Sequence, residues 1–494
     1  MSKQTKEYWK KKLHNLSLPS KAFINGEFID ADDGSVYETI NPATGEIIVK
    51  VSACSSKEVD LAVTAARSSY KTGVWSNKSP RERKAVLKKL ALLIIEHKEE
   101  LALMESLNVG KPIQDALDID IPGSAGCFEW YAESIDKIYG EIAPTDMNNV
   151  AMITKEPVGV VAAIVPWNFP LDIAAWKLAP ALITGNSVVL KPAEQSPMTA
   201  LKLAELAKEA GLPDGVLNVV TGYGAIVGKA LGVHDDVDCL AFTGSTEVGK
   251  LFMAYSAQSN MKPVWPETGG KSPNLIFSDC DLDLAVDHAV KGVFFNQGEV
   301  CSSNSRILIQ NSIKKEFVKR FVSKTRSLVV GDPLDPETQV GALIDMEHAS
   351  SVRKYIYKAS EQGATLLTGG CGDQSSAVVM PTIFDDVSPK MEIANEEVFG
   401  PVAALISFDT EEEAISIAND SVFGLAASVW TRDINRCIRV SKKLKAGTIS
   451  INTMDALDFG TPFGGFKQSG FGRDLSLHAI DKFVQLKTTW IKLS

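Results

Sequence analysis

Cysteine and histidine are sparse and unpaired in this sequence. Its 494 residues hold seven cysteines, at 54, 127, 239, 280, 301, 371 and 437, and none sits in CxxC spacing. An odd, scattered set makes neither a disulfide framework nor a zinc site, and it suits free thiols in a reducing cytoplasm. Six histidines with no HxxxH pair add no metal signal. Long apolar runs are missing as well. The most continuous, VGVVAAIVPW at 158–167, is about half the ~20 residues that a membrane span needs, and it reads as a buried strand. The N-terminal MSKQTKEYWKKKLHN is basic, but no apolar core or small-residue cleavage site follows it, so secretion is not expected. Positive charge is outnumbered: 51 Lys and Arg against 61 Asp and Glu leave a net charge of −10. That balance opposes a phosphate-tracking surface for nucleic acid. With 45% hydrophobic and 23% charged residues the chain is neither disordered nor fibrous, and its length suits about three domain-sized units.

What is present is an alternation. Short apolar runs at 160–165, 187–190, 217–220 and 239–242 are separated by amphipathic stretches at 171–183, 198–209 and 225–231. The pattern predicts consecutive βα units feeding a parallel sheet, with GN at 185, AGLPDG at 210 and TGYG at 221 as turns. Upstream, 81–109 predicts one charged amphipathic helix or a pair. The NG and DG of FINGEFIDADDGS predict tight hairpin turns within 22–51. Beyond 268 the alternation resumes, with strands at 274–277 and 307–309 and helices at 282–295 and 314–329, a second α/β unit. The segment 482–493 alternates as a strand and would pair with another segment or subunit.

Three residues stand out chemically. Cys301, in FFNQGEVCSSNSR, follows a glycine and precedes a serine-rich turn. A thiol in such a loop can gain thiolate character from backbone N–H groups, whereas the other six cysteines read as small buried hydrophobes. Glu267, before the Gly-Gly of PETGGKSPN, is a candidate base if a nucleophile and a water share its site. Asn168, in VPWNFP at a strand's carboxyl end, offers an amide donor to a developing oxyanion. Taken singly, these are also an ordinary buried thiol, a solvated turn carboxylate and a turn-former.

Their order is more telling. WNFP, KPAEQSP, FTGSTEVG, ETGGKSPN, NQGEVC, EEVFGP and PFGGFKQSGFGRD follow one another along the chain. In this the sequence resembles the aldehyde dehydrogenase superfamily over essentially its whole length. It looks most like the bacterial γ-glutamyl-γ-aminobutyraldehyde dehydrogenases of putrescine catabolism, on EYWKKKLHN followed by FINGEF, NNVAMITKEPVGVVAAIVPWNFP and FGRDLSLHAIDKFVQLKTTWI. The resemblance implies an α/β fold of two Rossmann-like parallel-sheet domains plus a small β oligomerisation element. Its map would be 1–136 and 158–267 for NAD binding, 268–470 for catalysis, and 137–157 with 471–494 for assembly into a homodimer or homotetramer. It implies Cys301 as nucleophile, Asn168 and the Cys301 N–H as oxyanion hole, and Glu267 as the base that hydrolyses a thioester. It implies cofactor contacts from Ile164, Trp167, Lys191, Glu194, Gly224, Gly228, Thr243, Ser245, Glu397 and Phe399. NAD is favoured over NADP, because Glu194 would meet a 2′-phosphate with like charge.

Several positions depart from the family pattern: Pro266 for an aliphatic residue, Glu299 for Gln, Asn304 for Gly and Asp474 for Glu. Glu299 would raise the Cys301 pKa if it faced the thiol, and strand-like alternation would turn it away. The implied substrate tunnel is lined by Asp172 and Trp176 after WNFP, and by Asp455, Leu457 and Asp458 before PFGG. Acidic groups at its mouth and an aromatic wall suit a small amine-bearing aldehyde. A broad-specificity or betaine-type enzyme is the alternative. Outside that class stand a non-redox thiol esterase or structural protein on the same fold, and a phosphorylating or CoA-acylating relative, which Glu267 disfavours.

Overall fold

The computed structural model describes residues 4–493. Two seven-stranded sheets, one three-stranded sheet and one two-stranded sheet form among the described residues. In the first large sheet the spatial order is Val264–Glu267, Cys239–Thr243, Val160–Ile164, Ser187–Lys191, Leu217–Val219, Ala22–Ile24, Glu27–Ile29. The first five run parallel, and the last two close the edge as an antiparallel hairpin. Strands 160–164, 187–191 and 239–243 are buried along their whole length, which explains their unbroken apolar sequence. The NG turn of the hairpin places Asn25 and Gly26 at φ 50° and 82°.

The second large sheet, within 273–451, is parallel except for its edge strand Thr365–Gly370. Val484–Lys492 pairs antiparallel with Asn149–Pro157, which pairs with Glu141–Ala143, as the small third sheet. The α/β fold with two parallel sheets and a small antiparallel one is the expected class. Only 484–492 of the C-terminal segment joins the small sheet. Leu475, Ala479, Ile480 and Phe483 instead pack into the core of the first large sheet, and that placement carries Asp474 under the active site.

Local chemistry explains several boundaries. The 81–109 stretch is two helices, Pro80–Glu96 and Lys98–Val109, joined at His97. Ser79 and Glu82 form a capping box at the first, with Pro80 in its opening turn. The predicted helix at 225–231 is a wide turn, Gly224–Gly228, followed by the short helix Lys229–Val233. The DG at 33–34 does not close a hairpin. It leads into Val36–Ile40, whose partner is Ile47–Ser52.

Candidate active site

The parallel register sets the site in a row. Ile164 pairs with Lys191 on one side and Phe242 on the other, and Thr243 pairs with Glu267. The loops leaving these strand ends carry Asn168, Glu194 and Ser245. Polar groups gathered outside the carboxyl ends of parallel strands make the crevice in which α/β proteins bind ligands.

Cys301 arrives from the other sheet unit. After helix Leu282–Phe294, three successive residues take left-handed backbone: Asn296, Gln297 and Gly298 at φ 48°, 56° and 75°. Such strain persists only where surroundings over-determine it. Here the Asn296 amide donates to the carbonyls of Asn168 and Glu299, both at 3.2 Å, and Gln297 Oε1 accepts the Gly341 N–H at 3.3 Å. Gly298 has no alternative, since a Cβ there would lie 2.3 Å from the Gly400 carbonyl oxygen. At Gly270, in the Gly-Gly turn after Glu267, a Cβ would lie 2.5 Å from the Cys301 carbonyl oxygen, so the turn and the nucleophile loop touch backbone to backbone.

Asn168 is 4% exposed, and one hydrogen of its amide goes to the Glu299 carbonyl at 2.8 Å. The second hydrogen is left for a guest in the cavity that Asn168 lines. The Glu299 side chain turns away from the thiol. It accepts the Ile344 N–H at 2.9 Å and lies 3.9 Å from His348. The thiol does not gain the thiolate character expected of its loop. Burial pushes the Cys301 pKa well up, the negative charges of Glu267, Asp455 and Glu397 add to this, and the Ser302 N–H opposes it. The reason is burial first, with three acidic side chains set against a single backbone donor.

Glu267 is 4% exposed and its Oε1 has no hydrogen-bond partner. Burial raises its pKa well above the carboxylate range and Asp474 adds to the rise, while Lys177, Lys482 and Arg473 pull it back. Lys177 donates to one oxygen of Asp474 and Lys482 to the other, all three buried. This trio joins Lys177 to a C-terminal pair eight residues apart, and no motif in the sequence marks the three as a unit.

Two cavities meet at the nucleophile. One of about 250 Å³ is lined by Trp167, Asn168, Thr243, Ser245, Glu267, Glu397 and Phe399. The other, of about 280 Å³, is lined by Asp172, Trp176, Ser302, Asp455 and Leu457 with Phe295 and Phe463. Phe169, Ile173 and Cys301 belong to both walls. A thiol between two chambers, with an amide donor and a carboxyl beside it, is arranged to hold a carbonyl carbon from one guest within reach of the other. The family model for aldehyde dehydrogenases matches residues 28–489. The chain belongs to the aldehyde dehydrogenase family.

Its relatives cover nearly all of this dehydrogenase. The NADP/NAD-dependent aldehyde dehydrogenase PuuC of Escherichia coli is 50% identical over 487 residues, 98% of each chain. A γ-glutamyl-γ-aminobutyraldehyde dehydrogenase from Burkholderia cenocepacia superposes with a TM-score of 0.97 at 49% identity, covering 99% of this chain and 100% of that one. The Pseudomonas syringae indole-3-acetaldehyde dehydrogenase AldA, a variant in complex with NAD+ and IAA, does so at 0.98 and 49%, with the same coverage.

In this dehydrogenase the expected cofactor residues fall into two groups. Trp167, Thr243, Ser245, Glu397 and Phe399 line the smaller cavity beside Cys301. Phe399 is held at φ 54° with its carbonyl accepting His348 Nε2 at 2.7 Å, and its ring meets Trp167 edge-on at 5.3 Å. Glu397 accepts the Gly270 N–H at 2.9 Å, and burial lifts its pKa to about 7. Ile164, Lys191, Glu194, Gly224 and Gly228 lie outside that cavity. Lys191 Nζ stands 3.3 Å from Glu194, and no atom fills the space that a Cβ on Gly224 would occupy. Thr243 Oγ1 is buried without a partner. An orphaned hydroxyl, a carboxylate past a strand's carboxyl end and an apolar chamber fit a nicotinamide dinucleotide.

On the substrate side the structure gathers Asp172, Trp176, Asp455 and Leu457, and it leaves Asp458 aside. The Asp458 carboxylate accepts the Gly460 N–H of its own loop at 2.7 Å. Asp172 is set into the wall rather than at a solvated mouth. Burial, with Asp120 and Glu105 nearby, lifts its pKa to about 8 against the pull of Lys111. Phe169, Phe295 and Phe463, which build the aromatic wall with Trp176, were not singled out by the sequence; Phe169 and Phe295 stack at 6.2 Å.

Proposed function

We propose that this chain oxidises amine-bearing aldehydes to carboxylic acids with NAD, through a thioester on Cys301. The observation that carries the reading is the place of Cys301 in the wall common to both cavities, between Glu267 and Asn168 on one side and the aromatic, acidic chamber on the other. Sulfur bonds to the aldehyde carbon as the thiol proton leaves to solvent. The charge growing on oxygen meets the second Asn168 hydrogen and the Cys301 N–H. NAD, when bound by Lys191, Glu194, Glu397 and their neighbours, supplies the two-electron acceptor that turns the thiohemiacetal into a thioester. Glu267 then takes a proton from water as the water oxygen bonds to the thioester carbon. The C–S bond breaks, and the sulfur leaves and regains its proton.

The amine preference is supported by Asp172 and Asp455 in the chamber, by its aromatic walls, and by the likeness to a γ-glutamyl-γ-aminobutyraldehyde dehydrogenase. The same aromatic walls, with the likeness to an indole-3-acetaldehyde dehydrogenase, favour aromatic aldehydes as a second reading. The Glu194 carboxylate favours NAD over NADP. We assign 1–136 and 158–267 to the cofactor domain, 268–470 to the catalytic domain, and the small sheet to assembly as a homodimer or homotetramer. Exposed Ile142, Leu486 and Trp490 support that last role. Seven free cysteines suit the cytoplasm. The test is NADH formation over γ-glutamylated, free-amino, betaine, aliphatic and aromatic aldehydes. A higher kcat/KM for the aminated members supports the reading, and equal values across the panel overturn the amine preference while leaving aldehyde oxidation standing.

A further inference from the structure

Phe399, in the wall of the smaller cavity, is a bulky residue at φ 54°, a backbone region that such side chains leave unless neighbours impose it. Three contacts impose it here. The Phe399 carbonyl accepts from His348 Nε2 at 2.7 Å, and since a carbonyl can only accept, that ring nitrogen carries the proton. The Trp167 ring meets both residues edge-on, 5.3 Å from Phe399 and 5.6 Å from His348. Gly400, next in the chain, is gripped from two sides: a Cβ on it would lie 2.8 Å from Val352 of helix Met346–Glu361, and a Cβ on Gly298 would lie 2.3 Å from its carbonyl oxygen.

His348 is fixed in turn. It stands in the first turn of helix Met346–Glu361, where the Asp345 carboxylate caps its backbone N–H at 2.7 Å. Just before that cap, the Ile344 N–H goes to the side chain of Glu299, whose main-chain carbonyl holds the Asn168 amide. The imidazole and the oxyanion donor therefore share one anchor. Burial lowers the His348 pKa, so near neutral pH the ring has a single N–H, and that N–H goes to Phe399. His348 itself is in the wall of neither chamber.

Resting on the cofactor reading above, we infer that His348 is a positioning residue for hydride transfer: by holding the Phe399 main chain in its left-handed conformation, it keeps the Phe399 ring where the nicotinamide must lie against the carbon on Cys301. Through Ile344 and Glu299 the same helix end is tied to the loop that orients Asn168. The wall for the acceptor ring and the donor for the oxyanion are thus set in one frame, and an error of about an ångström between them is costly to the reaction.

The test compares His348→Leu with His348→Gln, whose amide can still donate to the carbonyl. His348→Leu should slow NADH formation about tenfold. It should also raise the deuterium isotope effect on kcat with an aldehyde deuterated at its carbonyl carbon, because hydride transfer becomes the slow step. Hydrolysis of p-nitrophenyl acetate without NAD needs Cys301 and Asn168 but no acceptor ring. It should stay within about twofold of the wild type, which also reports that the variant is folded. By calorimetry, NAD should lose affinity relative to ADP-ribose, which has no nicotinamide. His348→Gln should recover the rate, the isotope effect and the relative affinity. If His348→Leu leaves the isotope effect and the relative affinity unchanged while Phe399→Ala alters both, the inference is overturned and the cofactor placement survives. If Phe399→Ala alters neither, the placement fails and the inference with it. Loss of ester hydrolysis in His348→Leu, or no recovery in His348→Gln, overturns the inference as well.

Discussion

Lys177 and Lys482 hold opposite oxygens of one buried carboxylate, that of Asp474. Glu267 feels all three, the aspartate raising its pKa and both lysines lowering it. Two cations around one anion leave a net positive charge beneath the base, which opposes the rise that burial imposes on Glu267.

Replacing Lys482 with Met removes one of those cations. The acid limb of the kcat–pH profile, where the ionised form of Glu267 is required, should move to higher pH. Lys482→Arg should keep the wild-type limb. A profile unmoved in a Lys482→Met protein of native fold would show that Asp474 and its lysines do not tune the base.

Asn168→Ala removes the amide that faces the reacting oxygen. The expected loss in kcat is about 10²–10³-fold, the usual cost of one oxyanion donor, with KM changed little. Steady-state NADH formation against aldehyde concentration checks both.

Glu194→Gln removes the negative charge set 3.3 Å from Lys191. The kcat/KM with NADP should rise about tenfold relative to that with NAD, since a 2′-phosphate no longer meets like charge. Equal ratios before and after would place the phosphate-reading group elsewhere.

Buried carboxyls also give stability a pH dependence. Burial lifts Glu105 and Asp115 to about 7 and Asp172 to about 8. Asp172 is faced by Asp120, Glu105, Lys111 and Cys127. Unfolded carboxyls titrate near about 4, so between that value and about pH 8 the folded chain holds more protons than the unfolded one, and stability falls as pH rises. The Tm of the protein free of ligands should be lower at pH 9 than at pH 6, and Asp172→Asn should flatten the slope.

The first parallel sheet was legible because its strands are buried on both faces and read as pure apolar runs. The strands between 365 and 451 were not assigned from the sequence; their helices and turns carry weaker punctuation. At the site, Cys301, Glu267 and Asn168 sit in ordered motifs and are brought together as those motifs imply. Loop side chains were harder to place. Asp455 faces the thiol while Asp458, three residues on, bonds its own turn, and no periodicity in an irregular loop distinguishes them. The pairing of Lys177 with Asp474, 297 residues apart, has no local signature at all. Glu299 looked hazardous to the nucleophile in sequence and is harmless in space, because its carboxylate is taken up by the Ile344 N–H.

Cys301 and Glu267 divide the proposed reaction, the thiol carrying the acyl group and the carboxylate activating the water that removes it. Stopped-flow NADH formation by Glu267→Gln tests this division most directly. A burst of about one NADH per subunit is expected, as each Cys301 is acylated, followed by a steady rate about 10²–10⁴-fold below the wild type because water is no longer activated. A slow rate with no burst, or an unchanged steady rate, would contradict it.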